Sequence, residues 1–296
     1  MFLIIQQIKL ISLFNNKIYH VKFDVVVGNP PYMNGLHLSF LEKAYEISSK
    51  YVVFIEPASW LISEKNYKNN TKEKRLKKLI EKNIQQIDIL NPNPYFKGVN
   101  LATPAAIIVL NKEKHDYSFL SHDFMREKTY TYNHIDEISK WGNDPEYLSL
   151  KKKIIAYTKL NGSLLDHIND KGKFYLNFAL IRGHVAYDDK NMFSIPDFFT
   201  FVPKDLTIQH EMNKAFGIGF DTEQECVNAL EYVKTKFSRM CLSILKNNLH
   251  INMGELNLVP WLDFSQNWND EKLYKYFKLT KDEISFIETN IPKYYE

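Results

Sequence analysis

Short apolar runs alternate with helical and polar stretches over the first 110 residues. The run Phe23–Gly28 is rich in β-branched residues and ends at a glycine, a pattern that predicts a buried strand of a parallel sheet. Residues 36–50 carry apolar positions near helical spacing and predict a helix. A solvated loop with a helix is predicted over 63–82, and further strands at 51–55, 84–90 and 103–110.

This order of elements indicates an α/β domain with a mostly parallel sheet. The last two predicted strands are close in sequence, so they can form an antiparallel pair at the edge. After about residue 115 the apolar runs shorten and Tyr, Asn, His and Lys become frequent, which predicts one domain over 1–115 and another over 116–296. In the second, a long helix is predicted over 223–246, and Thr280-Lys-Asp-Glu283 predicts a capping box.

Composition narrows the classes of protein. The net charge of +3 permits nucleic-acid binding without establishing it. Cys226 and Cys241 have neither metal-ligand nor disulfide spacing, and no histidine pair has metal spacing, so no metal site is expected. Free thiols fit a reducing cytoplasm. The apolar start of the chain is interrupted by Gln6, Gln7 and Lys9, which favours an amphipathic helix or strand over a signal or membrane segment.

The tetrapeptide Asn29-Pro30-Pro31-Tyr32 directly follows the first predicted strand. It should therefore lie at the carboxyl edge of the sheet, where α/β folds bind ligands. The side-chain oxygen of Asn29 and the carbonyl of Pro30 can each accept a hydrogen bond from one N–H of an amino group. These two hydrogen bonds would localise the lone pair on the nitrogen, which makes the nitrogen a better nucleophile. Pro31 stiffens the loop, and Tyr32 offers a face for stacking on a base. The alternative is an ordinary turn after a strand.

These four residues resemble the catalytic motif of the DNA amino-methyltransferases, and the string Phe23 to Tyr32 is similar to adenine-specific members of restriction–modification systems. The resemblance implies a partial Rossmann-like methyltransferase sheet followed by an α+β target-recognition domain. It implies methyl transfer from S-adenosylmethionine to N6 of an adenine flipped out of double-stranded DNA. It also implies that Phe96, or else Tyr95, packs against that base; the alternative is a loop aromatic covering the core. The same tetrapeptide serves methylation of protein and RNA.

The cofactor half of the resembled family is not found in this sequence. Members that share the string Phe23 to Tyr32 bind S-adenosylmethionine at a glycine-rich turn that precedes the catalytic strand. Here the 22 residues before Phe23 contain no glycine. The lookalike Phe216-Gly-Ile-Gly219 has the wrong spacing, and a bulge or turn is the simpler interpretation. We therefore expect the sheet to have an unpaired edge, which a complementary subunit or a second copy of the chain would cover. The alternatives are an inactive DNA-binding protein and one subunit of a split enzyme.

Candidate DNA contacts lie in the second predicted domain. Cations cluster in the later part of the helix over 223–246, where they can bind phosphates: Lys234, Lys236, Arg239 and Lys246. The alternative, equally weighted, is a favourable placement of cations near the C-terminus of a helix. Arg182, followed by Gly183 and His184, is a candidate for a loop that reads bases.

Overall fold

The chain forms two compact units, Met1–Gly142 and Asn143–Glu296. The computed structural model describes residues 2–5, 22–62, 72–92, 95–96, 104–124, 126–169, 171–178, 200–203, 216–246 and 253–294. The division lies later than the predicted boundary at 115, because two further strands after that point add to the sheet of the first unit. The change in composition near 115 is therefore a change within a unit.

The first unit is built on a mixed sheet, which confirms the α/β class and corrects the expectation that the sheet is mostly parallel. Its described strands number seven, in the order β1-β2-β3-β5-β4-β6-β7. They are β1 (Phe2–Ile5), β2 (Phe23–Gly28), β3 (Ser48–Pro57), β4 (Ile84–Leu90), β5 (Ala105–Asn111), β6 (Phe119–Asp123) and β7 (Lys128–Tyr132). Strands β1, β2 and β3 are parallel, and β6 is parallel to β4. Strand β7 is antiparallel to β6.

The antiparallel pair β4–β5 is not at the edge of the sheet, which corrects that expectation. Strand β5 lies between β3 and β4 and is antiparallel to both. Its apolar side chains are fully buried at Ala106, Ile108 and Leu110. A strand this apolar is stable only where the sheet continues on both sides and its faces are covered.

Short helices cover this sheet in the first unit. The described ones are α1 (Leu36–Ile47), α2 (Ser59–Ile62) and α3 (Lys72–Ile80), with 3-10 turns at Met33–Gly35 and Ile135–Glu137. Helix α1 buries Leu38, Phe40, Leu41 and Ala44, an apolar stripe at helical spacing. It ends at Ile47, where the backbone of Ser48 becomes extended and strand β3 begins.

The second unit combines helices with a small antiparallel sheet. Its described strands have the order β10-β8-β9: β8 (Phe174–Phe178), β9 (Thr200–Pro203) and β10 (Phe216–Phe220). The helices are α4 (Pro145–Asn161), α5 (Glu223–Lys234), α6 (Lys236–Leu245), α7 (Asp270–Tyr276) and α8 (Lys281–Asn290), with 3-10 turns at Leu164–His167 and Met253–Leu258. None of the helices described in either unit is long and apolar enough to cross a membrane.

The helix predicted over 223–246 is two helices that meet at Thr235. The backbone of Thr235 is extended, and its hydroxyl accepts a hydrogen bond from the N–H of Ser238. The carboxylate of Asp270 accepts from the N–H groups of Lys236 and Phe237 at 3.1 and 2.8 Å. These acceptors satisfy the first turn of a new helix, so the chain turns there instead of continuing.

Candidate active site

The predicted catalytic loop, Asn29 to Tyr32, lies where strand β2 ends. Strand β2 pairs in parallel with β3, and Gly28 lies opposite Phe54. The loop and the end of β3 are therefore at the same carboxyl edge of the sheet. This is the edge at which α/β folds bind ligands.

Asn29 and Pro30 differ in exposure. The Asn29 side chain is exposed, and no other described residue hydrogen-bonds it, whereas Pro30 is buried. Burial of the proline ring, with its fixed φ, holds the backbone that carries Asn29. The structure thus places an available amide oxygen beside a fixed backbone, and how both meet an amino group stays a prediction.

Tyr32 has an enclosed hydroxyl. Its Oη atom is buried and has no hydrogen-bond partner among the described residues. Its ring meets the ring of His37 edge to face, with centroids 6.5 Å apart and an interplanar angle of 81°. Burial, and next the nearby charge of Glu56, raise the pKa of Tyr32 to about 12. The phenol is therefore neutral at physiological pH.

Glu56, in strand β3, is a fully buried carboxyl for which the apolar pattern predicts no role. It lies directly opposite Ala106 of β5. The indole Nε1–H of Trp60 donates to its Oε1 atom at 3.2 Å, while Oε2 is buried and has no partner in the described part of the chain. The sequence marks Glu56 only as a charged residue between an apolar run and Pro57.

The environment of Glu56 favours its neutral form. Burial raises the pKa of the carboxyl well above its ordinary value, and the hydrogen bond from Trp60 opposes this only in part. The protonated acid has an O–H donor at Oε2, and Oε1 accepts from the indole. In its neutral form, Glu56 is thus a buried hydrogen-bond donor that is still unpaired.

His37, in the first turn of α1, is buried beside Tyr32. Burial lowers its pKa most, and the charge of Lys72 lowers it further, while a hydrogen bond with the backbone of Tyr32 opposes both. Its Nδ1 atom is buried without a partner among the residues described. One ring nitrogen of a neutral imidazole donates and the other accepts, so the unpaired Nδ1 can take part in a further hydrogen bond.

The predicted stacking aromatics, Phe96 and Tyr95, follow strand β4. The carboxyl end of β4 is at the same edge as that of β2, but β3 and β5 lie between them. At about 4.8 Å for each strand spacing, the backbones of β2 and β4 are about 14 Å apart. Phe96 is half-buried and Tyr95 is 73% exposed. Their contact with a base stays a prediction.

The predicted DNA contacts of the second unit are engaged within that unit. Arg239 and Lys246 are buried, and Nη1 of Arg239 donates to the carbonyl of Pro292 at 2.8 Å. Lys236 pairs with the carboxylate of Glu288 at 2.6 Å. Arg239 and Lys246 are thus almost inaccessible to solvent, whereas a phosphate contact requires an exposed cation, so their burial argues against the predicted DNA contact.

The other two predicted DNA contacts are Lys234 and Arg182. Lys234 pairs with Glu231 at 2.9 Å and is partly exposed. It is the most accessible of the four cations predicted over 223–246. Arg182 lies outside the described residues.

The glycine-rich lookalike is a regular strand. Gly217 and Gly219 belong to β10, which pairs antiparallel with β8. A Cβ atom at Gly217 would lie 2.2 Å from the carbonyl oxygen of Leu176, and one at Gly219 would lie 1.3 Å from that of Lys171. These glycines therefore allow close backbone packing, and they form neither the bulge nor the turn that we expected. Across the described residues, no cluster of His, Cys, Asp or Glu could hold a metal ion.

Comparisons with known proteins point to methyltransferases. No family model matches the chain. An uncharacterized adenine-specific methylase of Mycoplasma pneumoniae is 40% identical over 81 residues, covering 23% of this chain and 18% of the relative. The type II restriction enzyme and methyltransferase RM.Eco57I of Escherichia coli is 29% identical over 120 residues, covering 33% of this chain and 12% of the relative.

Among solved structures, the methyltransferase subunit of a type I restriction–modification system from Streptococcus thermophilus aligns with a TM-score of 0.28 at 18% identity. That alignment covers 39% of this chain and 29% of the subunit. The chain spans less than a fifth of each curated relative that it matches. It is similar in sequence to adenine-specific and restriction–modification methyltransferases.

Proposed function

We propose that this chain acts in a DNA N6-adenine methyltransferase of the restriction–modification type and contributes its catalytic loop. The observation that carries the proposal is the exposed Asn29 at the carboxyl end of a buried parallel strand, followed by a buried Pro30. The sequence similarity to adenine-specific methylases supports it.

In the proposed mechanism, the chain's own residues orient and polarise the amino group of adenine. The Asn29 side-chain oxygen and the Pro30 carbonyl each accept a hydrogen bond from one N–H of this amino group. These hydrogen bonds strengthen as positive charge develops on the nitrogen, so they stabilise the transition state more than the ground state. Tyr32 lies next to the flipped base, and double-stranded DNA is the substrate.

S-adenosylmethionine would supply the methyl group, as proposed from the similarity to methyltransferases. Within the described ranges, no glycine-rich strand–turn–helix fits this cofactor, since Gly217 and Gly219 are packed inside a strand. We therefore derive no step through the cofactor. A partner subunit or a second copy that completes the site belongs to the same proposal.

The test is calorimetric titration of the chain with S-adenosylmethionine, with and without unmethylated genomic DNA, followed by transfer of a labelled methyl group. Nucleoside analysis of the product should show N6-methyladenine. Asn29→Ala should abolish transfer and leave binding of DNA unchanged. The control is Asn133→Ala, an exposed asparagine of the same unit.

Three results would contradict the proposal: a methylated product other than N6-methyladenine, full activity of Asn29→Ala, or transfer to protein alone. DNA binding without cofactor binding or transfer would favour a non-catalytic DNA-binding protein, or a subunit that needs a partner. Adding candidate partners that bear a glycine-rich motif would separate those two.

A further inference from the structure

Three buried polar atoms belong to the Asn29–Tyr32 loop and to the helix and strand that follow it: Tyr32 Oη, His37 Nδ1 of α1 and Glu56 Oε2 of β3. Each lacks a hydrogen-bond partner among the described residues. Buried polar atoms are rarely left unpaired in proteins, because nothing then compensates for the loss of their hydrogen bonds to water. Such a cluster, at the ligand-binding edge of an α/β sheet, indicates a site that a ligand's polar group completes.

The three groups belong to adjoining elements. The rings of Tyr32 and His37 meet edge to face, with centroids 6.5 Å apart. Glu56 lies on the strand beside the loop, two residues beyond the pairing partner of Gly28. On the other side, the indole of Trp60 holds Oε1 of Glu56 and so leaves Oε2 as the atom still to be satisfied.

We propose that Tyr32 Oη, His37 Nδ1 and Glu56 Oε2 form a polar subsite of the catalytic loop that binds an uncharged nucleoside group able both to donate and to accept hydrogen bonds. The inference rests on the proposed function. The adenine edge, with an N–H donor next to a ring-nitrogen acceptor, and a ribose hydroxyl both have this chemistry. A target adenosine and the adenosyl part of S-adenosylmethionine share it.

The chemistry of the subsite matches an uncharged group. Burial favours the protonated forms of Tyr32 and Glu56 and the unprotonated form of His37, all of which are uncharged. In these forms the cluster offers an acid O–H donor, an imidazole nitrogen and a phenol that can donate or accept. A phosphate or an ammonium group there would be desolvated without a counter-charge, which is costly.

The experiment records the indole ¹⁵N–¹H signal of Trp60, one of four tryptophans, in the full chain. The signal is assigned with Trp60→Phe. The probes are adenosine, S-adenosylmethionine and a single-stranded deoxyadenosine 12-mer. We expect a probe to shift the Trp60 signal, because its indole N–H donates to the carboxyl that the ligand contacts. A shift with S-adenosylmethionine alone assigns the subsite to the cofactor, and one with the 12-mer alone assigns it to the target base.

Variants test the role of Glu56 in the same titrations. Glu56→Gln keeps a neutral donor and should bind within about threefold of wild type, whereas Glu56→Leu and Tyr32→Phe should weaken binding by on the order of tenfold. The control is Glu113→Gln, an exposed glutamate after β5. If Glu56→Leu does not fold, Glu56→Gln and the Trp60 signal still decide the question.

The inference and the proposed function fail differently. If no probe shifts the Trp60 signal while Asn29-dependent methyl transfer persists, or if Glu56→Leu binds as wild type does, the subsite is refuted and the proposed function stands. If wild type neither binds a probe nor transfers a methyl group, both are refuted. Equal weakening by Glu56→Gln and Glu56→Leu also refutes the neutral-donor role.

Discussion

The ring of Phe54 lies directly against the backbone of Gly28, the residue before Asn29. A Cβ atom built at Gly28 would lie 2.7 Å from Cε1 and 2.9 Å from Cζ of Phe54. The two residues are opposite each other in the β2–β3 pairing, and the Phe54 side chain is fully buried. The glycine therefore provides the space that this ring occupies beside the start of the predicted catalytic loop.

We predict that Gly28→Ala destabilises the first unit by about 1 to 3 kcal/mol, the usual cost of overpacking. Methyl transfer should fall as well, because Asn29 moves with the strand end. Phe54→Leu in the same chain should restore part of the stability. Chemical denaturation measures both. Gly254→Ala is the control, since a Cβ atom there meets nothing within 4 Å; equal stability of the two alanine variants would argue against the packing explanation.

Glu56 should make stability depend on pH. Burial raises its pKa in the folded chain above the ordinary value of 4.5, so the unfolded chain loses this proton first. The stability that the protonated acid contributes is therefore complete below that value and declines as pH rises towards the folded pKa, by about 1.4 kcal/mol for each pH unit. Tyr32, with a pKa of about 12, stays neutral throughout.

The variant Glu56→Gln removes this titration and keeps an acceptor for Trp60. We predict that the stability of Glu56→Gln relative to wild type increases as pH rises from about 5 to about 8. Urea denaturation at several pH values measures the difference. Glu113→Gln, which changes an exposed carboxylate, should show no such trend. Parallel curves for Glu56→Gln and wild type would mean that Glu56 is ionised in the folded chain.

Arg239 should be a structural residue of the second unit. It is buried, donates to the Pro292 carbonyl at 2.8 Å, and lies 5.6 Å from the ring centroid of Tyr294. We predict that Arg239→Ala lowers the free energy of unfolding by about 2 to 4 kcal/mol. The dependence of DNA affinity on salt should not change, because no phosphate contact is lost.

The matched comparison is Lys234→Ala. If Lys234, the more accessible cation, binds a phosphate, that variant reduces the slope of log affinity against log salt by about one unit. Salt titrations of DNA binding measure both variants. A stable Arg239→Ala chain with a reduced slope would reverse the assignment and return Arg239 to the DNA-binding surface.

Local patterns predicted the elements that local residues determine. A few adjacent residues are enough to predict the buried strand β2, the loop after it and the capping box at Thr280. The structure contains all three. The break at Thr235 was not predictable in this way. It depends on Asp270, which is more than 30 residues away and caps the new helix.

The same limit applies to the sheet and to the candidate site. Strands β6 and β7 are mostly polar or aromatic and lack an apolar run like that of β2, so composition alone assigns them to a different domain. The position of β5 between β3 and β4 is a pairing of distant segments. Glu56 gains its role only from the surroundings that the fold brings together, since a single carboxylate in an apolar run does not reveal what will enclose it.

The capping box of helix α8 should contribute measurably to the stability of the second unit. The hydroxyl of Thr280 accepts from the N–H of Glu283 at 3.2 Å, and the Glu283 carboxylate accepts from the N–H of Thr280 at 2.7 Å. We predict that Thr280→Ala lowers the free energy of unfolding by about 1 kcal/mol. Thermal unfolding measures this, and Lys281→Ala, at the next and exposed position, should have little effect.

Glu283 also forms an ion pair with Lys153 of helix α4, at 2.6 Å. Burial alone would raise its pKa, but the hydrogen bonds from Lys153, Thr280 and Ser149, with the charge of Lys153, together outweigh burial and lower it. The ionised carboxylate therefore adds stability above its ordinary pKa of 4.5, and this stability is lost as pH falls through the lowered folded value. We predict that Glu283→Gln is more destabilising than Thr280→Ala at neutral pH and that its cost shrinks in acid. Denaturation at several pH values checks this, and a cost independent of pH would show that the amide loses packing or geometry instead of charge.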